Sequence, residues 1–174
     1  MTRLRSRAFP LAALLLAGCG LQPLYSGGSA GPVASAIGQV EIAPIEGKAG
    51  WLVTNALNDR LGAVSSGAGS SGAARYRLVV RLDDQINGLG VRRDNSVTRE
   101  RRTLRARYQL IDAAQGTVVL DQTAGSDVGV DVVQSDYAVI AAENTALERL
   151  SVVIADQIVA RLALYARRRA QPQL

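Results

Sequence analysis

Within the strand-like segment 97–112, residues 103–110 alternate strictly between polar and apolar side chains, and this constrains the fold more than any other stretch of the chain. Leu104, Ala106, Tyr108 and Leu110 fall on one side of an extended strand, because successive side chains of a strand point to opposite faces. The polar residues share the other side: Arg99, Arg101, Thr103, Arg105, Arg107 and Gln109. Such a strand needs paired neighbours and a layer that covers its apolar side, so the pattern predicts a sheet with one buried face.

Three further segments carry strand patterns. Residues 39–45 predict a short strand that stops at Pro44. From residue 75 to 83 apolar positions alternate with Arg77 and Arg81, which should lie on the same sheet side as the arginines of 97–112. Asp112 to Gly116 is typical of a hairpin turn. The strand that begins at Thr117 keeps one apolar parity to Val132, with a break expected near Gly125.

Two segments predict helices. Residues 51–61 form one apolar stripe that ends before Gly62, with Trp51 expected to anchor the core. Residues 137–165 form a longer stripe, and Ile140 is its first member. The resulting order, β-α-β-β-β-α, predicts an α+β fold in which two helices pack on one face of a four-stranded, mixed, mostly antiparallel sheet. We expect one domain over residues 38–166, a wide connection from residue 87 to 95 and a mobile loop at 65–74.

The N-terminus is typical of a secretory signal. Three arginines precede an apolar run from residue 8 to 17, followed by Leu16-Ala17-Gly18-Cys19, which resembles a bacterial lipobox. The run is shorter than the ~20 residues of a membrane-spanning helix. The resemblance implies a signal peptide at residues 1–18 and acylation of Cys19, so that a lipid would hold the protein to a membrane. We expect a flexible linker at 19–37 and a basic tail at 167–174.

Composition excludes several kinds of chemistry. The chain contains no histidine and one cysteine, so histidine-based triads, histidine metal sites and disulfides within the chain are excluded. We expect no cofactor and no metal. Aromatic residues make up 4% of the chain, too few to stack single-stranded nucleic acid well. The formal charge falls from +5 to +2 without residues 1–18. Asp83 with Asp84, and Asp127 with Asp131, are carboxylate pairs that we interpret as solvated, so no catalytic residue is predicted.

The outward side of the predicted sheet is strongly basic, and we call it the arginine face. Two interpretations stay open: it contacts a phosphorylated glycolipid or the acidic wall of a protein partner, or it is an ordinary solvated face that protects the sheet from aggregation. Its members, the candidate contact residues, are Arg77, Arg81, Arg99, Arg101, Arg105 and Arg107.

The opening of the predicted mature chain carries the most specific signal. Cys19-Gly20-Leu21-Gln22-Pro23-Leu24-Tyr25, followed by the β-α-β-β-β-α order, resembles the LptE family of LPS-assembly lipoproteins in its alphaproteobacterial form. The Thr98-Arg99 and Tyr108-Gln109-Leu110 neighbourhoods, and the Tyr137-Ala138 start of the last helix, are similar to the family as well.

The resemblance implies a non-enzymatic lipoprotein of the outer membrane that plugs the LptD β-barrel, helps it to assemble and contacts lipopolysaccharide during export. It would face the periplasm or lie inside the barrel lumen. Gly20, in the place where an aspartate retains similar lipoproteins in the inner membrane, favours the outer membrane. An accessory lipoprotein of another, ABC-type envelope lipid transporter is the alternative function.

Overall fold

The computed structural model describes residues 31–65, 74–91 and 97–170. The lipobox, the Gly/Ser-rich stretch at 66–73, the connection at 92–96 and the last four residues lie outside the described residues. The elements, in chain order, are α1 (Pro32–Ile37), β1 (Val40–Ile42), α2 (Gly47–Ser65), β2 (Tyr76–Val91), β3 (Val97–Asp112), β4 (Val118–Asp131) and α3 (Asp136–Ala170).

The four strands form one sheet in the order β1-β2-β3-β4. The pair β1 and β2 is parallel, with Val40 opposite Tyr76, because α2 carries the chain back across the sheet between them. The other two pairs are antiparallel. This confirms the predicted α+β class, with α2 and α3 packed on one face of a mixed, mostly antiparallel sheet.

The core lies between the sheet and the two long helices. The alternation of β3 works as predicted, because the apolar side chains of residues 104–110 face the helices and are buried. Burying one such side chain stabilises the fold by about 1.5–3 kcal/mol. The helices contribute one apolar stripe each, consisting of Val53, Leu57 and Leu61 from α2 and Leu147, Leu150, Ile154, Ile158 and Leu162 from α3.

The predicted linker at 19–37 differs from the structure at its C-terminal end. Residues 32–37 form α1, with a proline in its first turn. Val33 and Ile37 lie four residues apart, and therefore on one side of the helix, where both are buried in the core. A segment rich in small residues thus becomes part of the fold because two apolar side chains occur at helical spacing.

The first predicted helix is longer, and it is rotated relative to the prediction. Gly50, Val53, Leu57 and Leu61 are its buried positions, and a side chain at residue 50 would collide with the Ile45 carbonyl. The helix backbone therefore lies directly against Ile45. This contact turns Trp51 outward, where it is 64% exposed, so the prediction that Trp51 anchors the core is wrong.

The strands also run further than predicted. β2 continues to Val91, with Asn87 paired to Arg101, where a wide connection was expected. β4 is continuous through Gly125 to Asp131 because every one of these residues stays in register with β3. The hairpin turn before β4 is confirmed, with the Asp112 carboxylate accepting from the Ala114 and Gln115 amides.

The last helix extends beyond both predicted ends. It includes residues 167–170, half of the predicted basic tail, as regular helix. At its other end Ile140 is 56% exposed. Lys48, in the first turn of α2, bonds to Asn144, and Arg60 bonds to Asp156, so α2 starts alongside the third turn of α3. The first two turns of α3 therefore have no α2 residue beside them, and the expectation that Ile140 belongs to the core stripe is wrong.

Candidate functional site on the outer face of the sheet

The six predicted arginines lie on one face of the sheet, as the strand registers require. On β3 they occupy alternate positions opposite β2 and β4. Arg81 of β2 lies directly opposite Arg107 of β3. All six side chains are exposed on the side away from the helices. The sheet thus brings the predicted residues together, and it places like charges next to each other, which is unfavourable without counter-charges.

The structure supplies part of the counter-charge from β4, which the sequence interpretation did not foresee. Arg99 pairs with Asp131 at 3.4 Å, and Arg101 pairs with Asp127 at 3.5 Å. Arg107 makes a two-pronged contact with Asp121, with Nε–Oδ1 at 3.2 Å and Nη2–Oδ2 at 2.9 Å. Half of the arginine face is therefore paired within the molecule.

Asp121 accepts more side-chain hydrogen bonds than the other two aspartates of β4 that pair with the arginine face. It also accepts a hydrogen bond from Gln109 at 2.8 Å. The hydrogen bond from Arg107, followed by that from Gln109, lowers the pKa of Asp121 below its ordinary value, and the same contact raises the pKa of Arg107. This pair stays ionised at every physiological pH.

The other three arginines have no such partner. Arg77, Arg81 and Arg105 make no ion pair or side-chain hydrogen bond with any described residue. Asp83, the neighbour of Arg105 across the β2–β3 pair, is instead bonded by Gln85. Three guanidinium groups, each able to bind a phosphate or carboxylate with two parallel bonds, are therefore available on this face.

Two of the three free arginines border a shallow cavity of about 530 Å³, which we call the recess. Arg105 lies across Gly125, and the missing side chain at that position opens the floor toward β4. Arg81, Arg107, Thr103 and Thr123 complete the rim. Two carboxylates also line the recess, but Asp83 is bonded by Gln85 and Asp127 is paired with Arg101. The guanidinium and hydroxyl donors of the recess therefore suit an oxyanion.

A second cavity, of about 380 Å³, lies on the helix-covered side of the sheet, between α1 and the end of α3. Its walls include the edge-to-face pair of Tyr76 and Tyr165. Arg75 lies 5.3 Å from the centre of the Tyr76 ring, and Arg169 lies 5.7 Å from that of Tyr165. Because aromatic rings already engage both cations, this cavity is a weaker anion site than the recess.

Neither of the two carboxylate pairs considered from the sequence forms a facing pair in the structure. Asp83 and Asp84 point to opposite faces, and Asp127 and Asp131 each pair with an arginine. Within the described residues, no cluster of three or more acidic or cysteine side chains could hold a metal ion. Among the helices of those ranges, none is long and apolar enough to cross a membrane.

Two charged residues of β3, Glu100 and Arg102, belong to the helix-covered face, and sequence reasoning did not place them there. Arg102 has the parity of Leu104 and Ala106, and it is only 9% exposed. It binds Asp84 through Nε–Oδ1 at 2.9 Å and Nη2–Oδ2 at 2.6 Å, and it donates to the Glu143 carbonyl at 2.8 Å. Parity alone was a sufficient signal to separate Arg102 from the outer arginines.

Comparison with known proteins connects this geometry to a family. The profile of the family described as "LptE: Lipopolysaccharide-assembly" matches residues 37–162. No curated protein sequence matches the chain significantly.

Solved structures share the fold over most of their length. A candidate lipoprotein from Caulobacter crescentus CB15 is 25% identical with a TM-score of 0.61, covering 80% of this chain and 98% of its own. Lipoprotein B from Nitrosomonas europaea is 13% identical with a TM-score of 0.55, covering 74% and 88%. The rare lipoprotein B from Shewanella oneidensis is 12% identical with a TM-score of 0.52, covering 76% and 98%. The last two show the fold alone.

Proposed function

The chain belongs to the LptE family of lipopolysaccharide-assembly proteins, and from this premise we propose that it is a lipid-anchored protein of the outer membrane that contacts lipopolysaccharide through the arginine face. It would do so as a plug of the LptD β-barrel, whose assembly it assists, and without catalysis. The lipid would sit on Cys19, outside the described residues, and the lipoprotein name of the Caulobacter crescentus relative supports this anchor.

One observation carries the lipopolysaccharide part of the proposal. Arg77, Arg81 and Arg105 stay without an internal counter-ion, although β4 supplies carboxylates to their three neighbours. Because Arg81 and Arg105 both line the open recess, a phosphate of the lipid A headgroup can approach two guanidinium groups at once. The three arginines that are paired with aspartates would add little net charge to this surface. They would contact an acidic barrel wall only if a carboxylate of the wall replaced the aspartate of β4.

The first test replaces the two free arginines at the recess. We expect Arg81→Glu with Arg105→Glu to weaken binding to purified lipopolysaccharide at least about tenfold, because two charge-assisted contacts become repulsive. Binding should be measured by titration in detergent of fixed salt concentration. Arg149→Glu with Arg168→Glu is the matched control: it changes net charge equally, at exposed positions of α3.

Equal losses in the two double variants would contradict the proposed site, since only net charge would then matter. Lipopolysaccharide stripped of its lipid A phosphates provides a second comparison. It should bind the wild-type chain and the Arg81/Arg105 variant alike, because the groups that distinguish them are gone.

A second test addresses the barrel. We expect the acylated chain to co-purify with a large β-barrel protein in mild detergent, as a plug would. Cross-links to components of an ABC-type transporter would favour the alternative function, which the family match does not support. Recovery of the acylated chain only as a free monomer would count against both.

A further inference from the structure

The last strand of the sheet has an open edge. β4 lies at the end of the strand order, and no described residue pairs with its outer side. It spans Val118–Asp131 without a proline, lysine or arginine. Natural edge strands are usually short or carry proline or charged residues, which discourage the addition of another strand. The charged residues of β4 are all aspartates, namely Asp121, Asp127 and Asp131. Its pairing with β3 has a register shift near its start, opposite Leu110 and Ile111.

The direction of the β4 backbone groups follows from two sets of hydrogen bonds. Val132, just past the strand, donates to the Thr98 carbonyl of β3. Residues of the same parity in β4 therefore bond to β3, since bonded and non-bonded pairs alternate in an antiparallel ladder. The backbone N–H and C=O groups of the opposite parity point outward, and these belong to Asp121, Thr123, Gly125, Asp127, Gly129 and Asp131.

One of these outward positions is occupied by a side chain of α3. The Gln157 carboxamide accepts from the Gly125 amide at 3.2 Å and donates to the Gly125 carbonyl at 3.3 Å. A primary amide has the same donor and acceptor as a peptide group, so Gln157 takes the place of one residue of a neighbouring strand. Thr123, Asp127 and Gly129 have no corresponding partner among the described residues.

The charges on the sheet indicate which strand would fit beside β4. Across the outer face, arginines of β3 alternate with Asp121, Asp127 and Asp131 of β4. Opposite charges on adjacent strands stabilise a sheet and like charges destabilise it. We call Asp121, Asp127 and Asp131 the aspartate row. A second copy of β4 would bring two aspartate rows together, whereas a strand with basic residues at alternate positions would continue the alternation of charge.

We propose that the outer edge of β4 docks an extended segment of a partner polypeptide with arginine or lysine at alternate positions, and that Gln157 is displaced when the segment adds to the sheet. Backbone hydrogen bonds would supply the affinity, and the aspartate row would supply the selectivity for basic side chains. The edge shares Thr123, Gly125 and Asp127 with the recess. It uses their outward backbone groups, however, whereas the recess binds an anion through guanidinium groups.

The test uses the purified full chain and a fluorescein-labelled peptide of about seven residues in which valine and arginine alternate. We expect saturable binding by fluorescence anisotropy, and slower hydrogen exchange at the Thr123, Asp127 and Gly129 amides when the peptide is present. A peptide with glutamate in place of every arginine should bind at least about tenfold more weakly, since the aspartate row would repel it.

Two variants probe the edge itself. Thr123→Pro removes one outward amide, a change that an edge strand tolerates, and should weaken peptide binding at least about tenfold; Thr123→Val keeps the amide and should bind normally. Gln157→Ala removes the competing carboxamide and should strengthen binding about fivefold, the scale of one hydrogen bond. Gln157→Leu, with a similar side-chain size, should behave as Gln157→Ala.

Several results would overturn the proposal: no binding of the basic peptide, equal binding of the glutamate peptide, or full binding by Thr123→Pro. Self-association of the chain that Thr123→Pro abolishes would overturn it too, because the occupant would then be a second copy. If Thr123→Pro does not fold, the hydrogen-exchange result on the wild-type chain decides, and unchanged exchange at the three amides rejects the docking edge.

Discussion

The two faces of β3 both carry arginines that meet aspartates, but they do so in different ways. On the helix-covered face, the Arg102 side chain is 11% exposed and makes two short parallel bonds to Asp84. On the outer face, Arg99 and Arg101 approach Asp131 and Asp127 at 3.4 and 3.5 Å, with all four side chains more than half exposed. The residue types are the same, whereas the access of water is not.

This difference separates a structural role from a binding role. Arg102 joins three elements, because its guanidinium contacts β2 through Asp84 and α3 through the Glu143 carbonyl. Water cannot easily replace these partners, so the arrangement is fixed. The outer pairs compete with water and with salt, and each contributes little to stability. Their arginines can therefore exchange an aspartate for a ligand anion at low cost.

The largest expected effect comes from breaking the inner pair. Arg102→Ala leaves the Asp84 carboxylate, whose side chain is 24% exposed, without its partner, and we expect it to lower the free energy of unfolding by about 2 kcal/mol. Arg101→Ala is the matched control, one residue away on the outer face, and should change it by less than about 0.5 kcal/mol. Chemical denaturation followed by circular dichroism measures both.

A double variant sharpens this comparison. Arg102→Met with Asp84→Leu removes both charges together, so no buried charge is left unpaired, and it should recover most of the stability lost in Arg102→Ala. If the double variant is as unstable as the single one, the bond to the Glu143 carbonyl or the packing of Arg102, rather than the ion pair, holds this end of the sheet.

The same contrast explains how far the sequence alone could lead. Alternation and helical spacing were sufficient for the sheet, the two long helices and the face on which Arg99 to Arg107 lie, because these depend on periodicity within single segments. Arg102 has the inward parity, but recognising it as buried required knowing that Asp84 and α3 would reach it. The β4 aspartates were likewise visible, yet their pairing with particular arginines depends on strand register, which no single segment determines.

The wrong predictions for Trp51 and for residues 32–37 also arose because contacts between segments are not visible in a single segment. Trp51 was expected in the core because it is large and apolar, but the close contact of Gly50 with Ile45 decides the rotation of α2. The small residues of 32–37 predict a linker, but Val33 and Ile37 are buried against the core, and this contact stabilises the segment as helix α1. In both cases tertiary contacts outweighed the local pattern.

A smaller effect is expected at Glu100, which shares the inner face with Arg102. Its Oε2 is buried and has no hydrogen-bond partner in the part of the chain that the structure describes. Burial, followed by a proton-sharing contact with the Glu143 carboxyl and repulsion from its charge, raises the pKa of Glu100 above the ordinary value of 4.5. The folded state therefore holds this proton more tightly than the unfolded state does, and Glu100 costs stability once it ionises.

The pH dependence follows from that sign. Stability should fall as the pH rises from 4.5 through the raised pKa of Glu100. Glu100→Gln should remove this decline and make the protein more stable than wild type at neutral pH, in denaturation curves recorded from pH 4 to 8. Glu148→Gln, at an exposed position of α3, is the control. A wild-type stability that is flat over this range would contradict the prediction.

The smallest effect, and one of opposite sign, is expected on the outer face. Hydrogen bonds from Arg107 and Gln109 lower the pKa of Asp121 below its ordinary value of 3.8, so its contribution is present above pH 3.8 and is lost as the pH falls through the lowered pKa. Asp121→Asn should remove this acid-side loss while shifting the denaturation midpoint at pH 7 less than Glu100→Gln does. In about 1 M salt, where the screening length is about 3 Å, the difference from wild type should vanish. A difference that persists in salt would mean that the Arg107–Asp121 pair is sheltered from water as the Arg102–Asp84 pair is, and the outer face would then be part of the framework instead of an exchangeable surface.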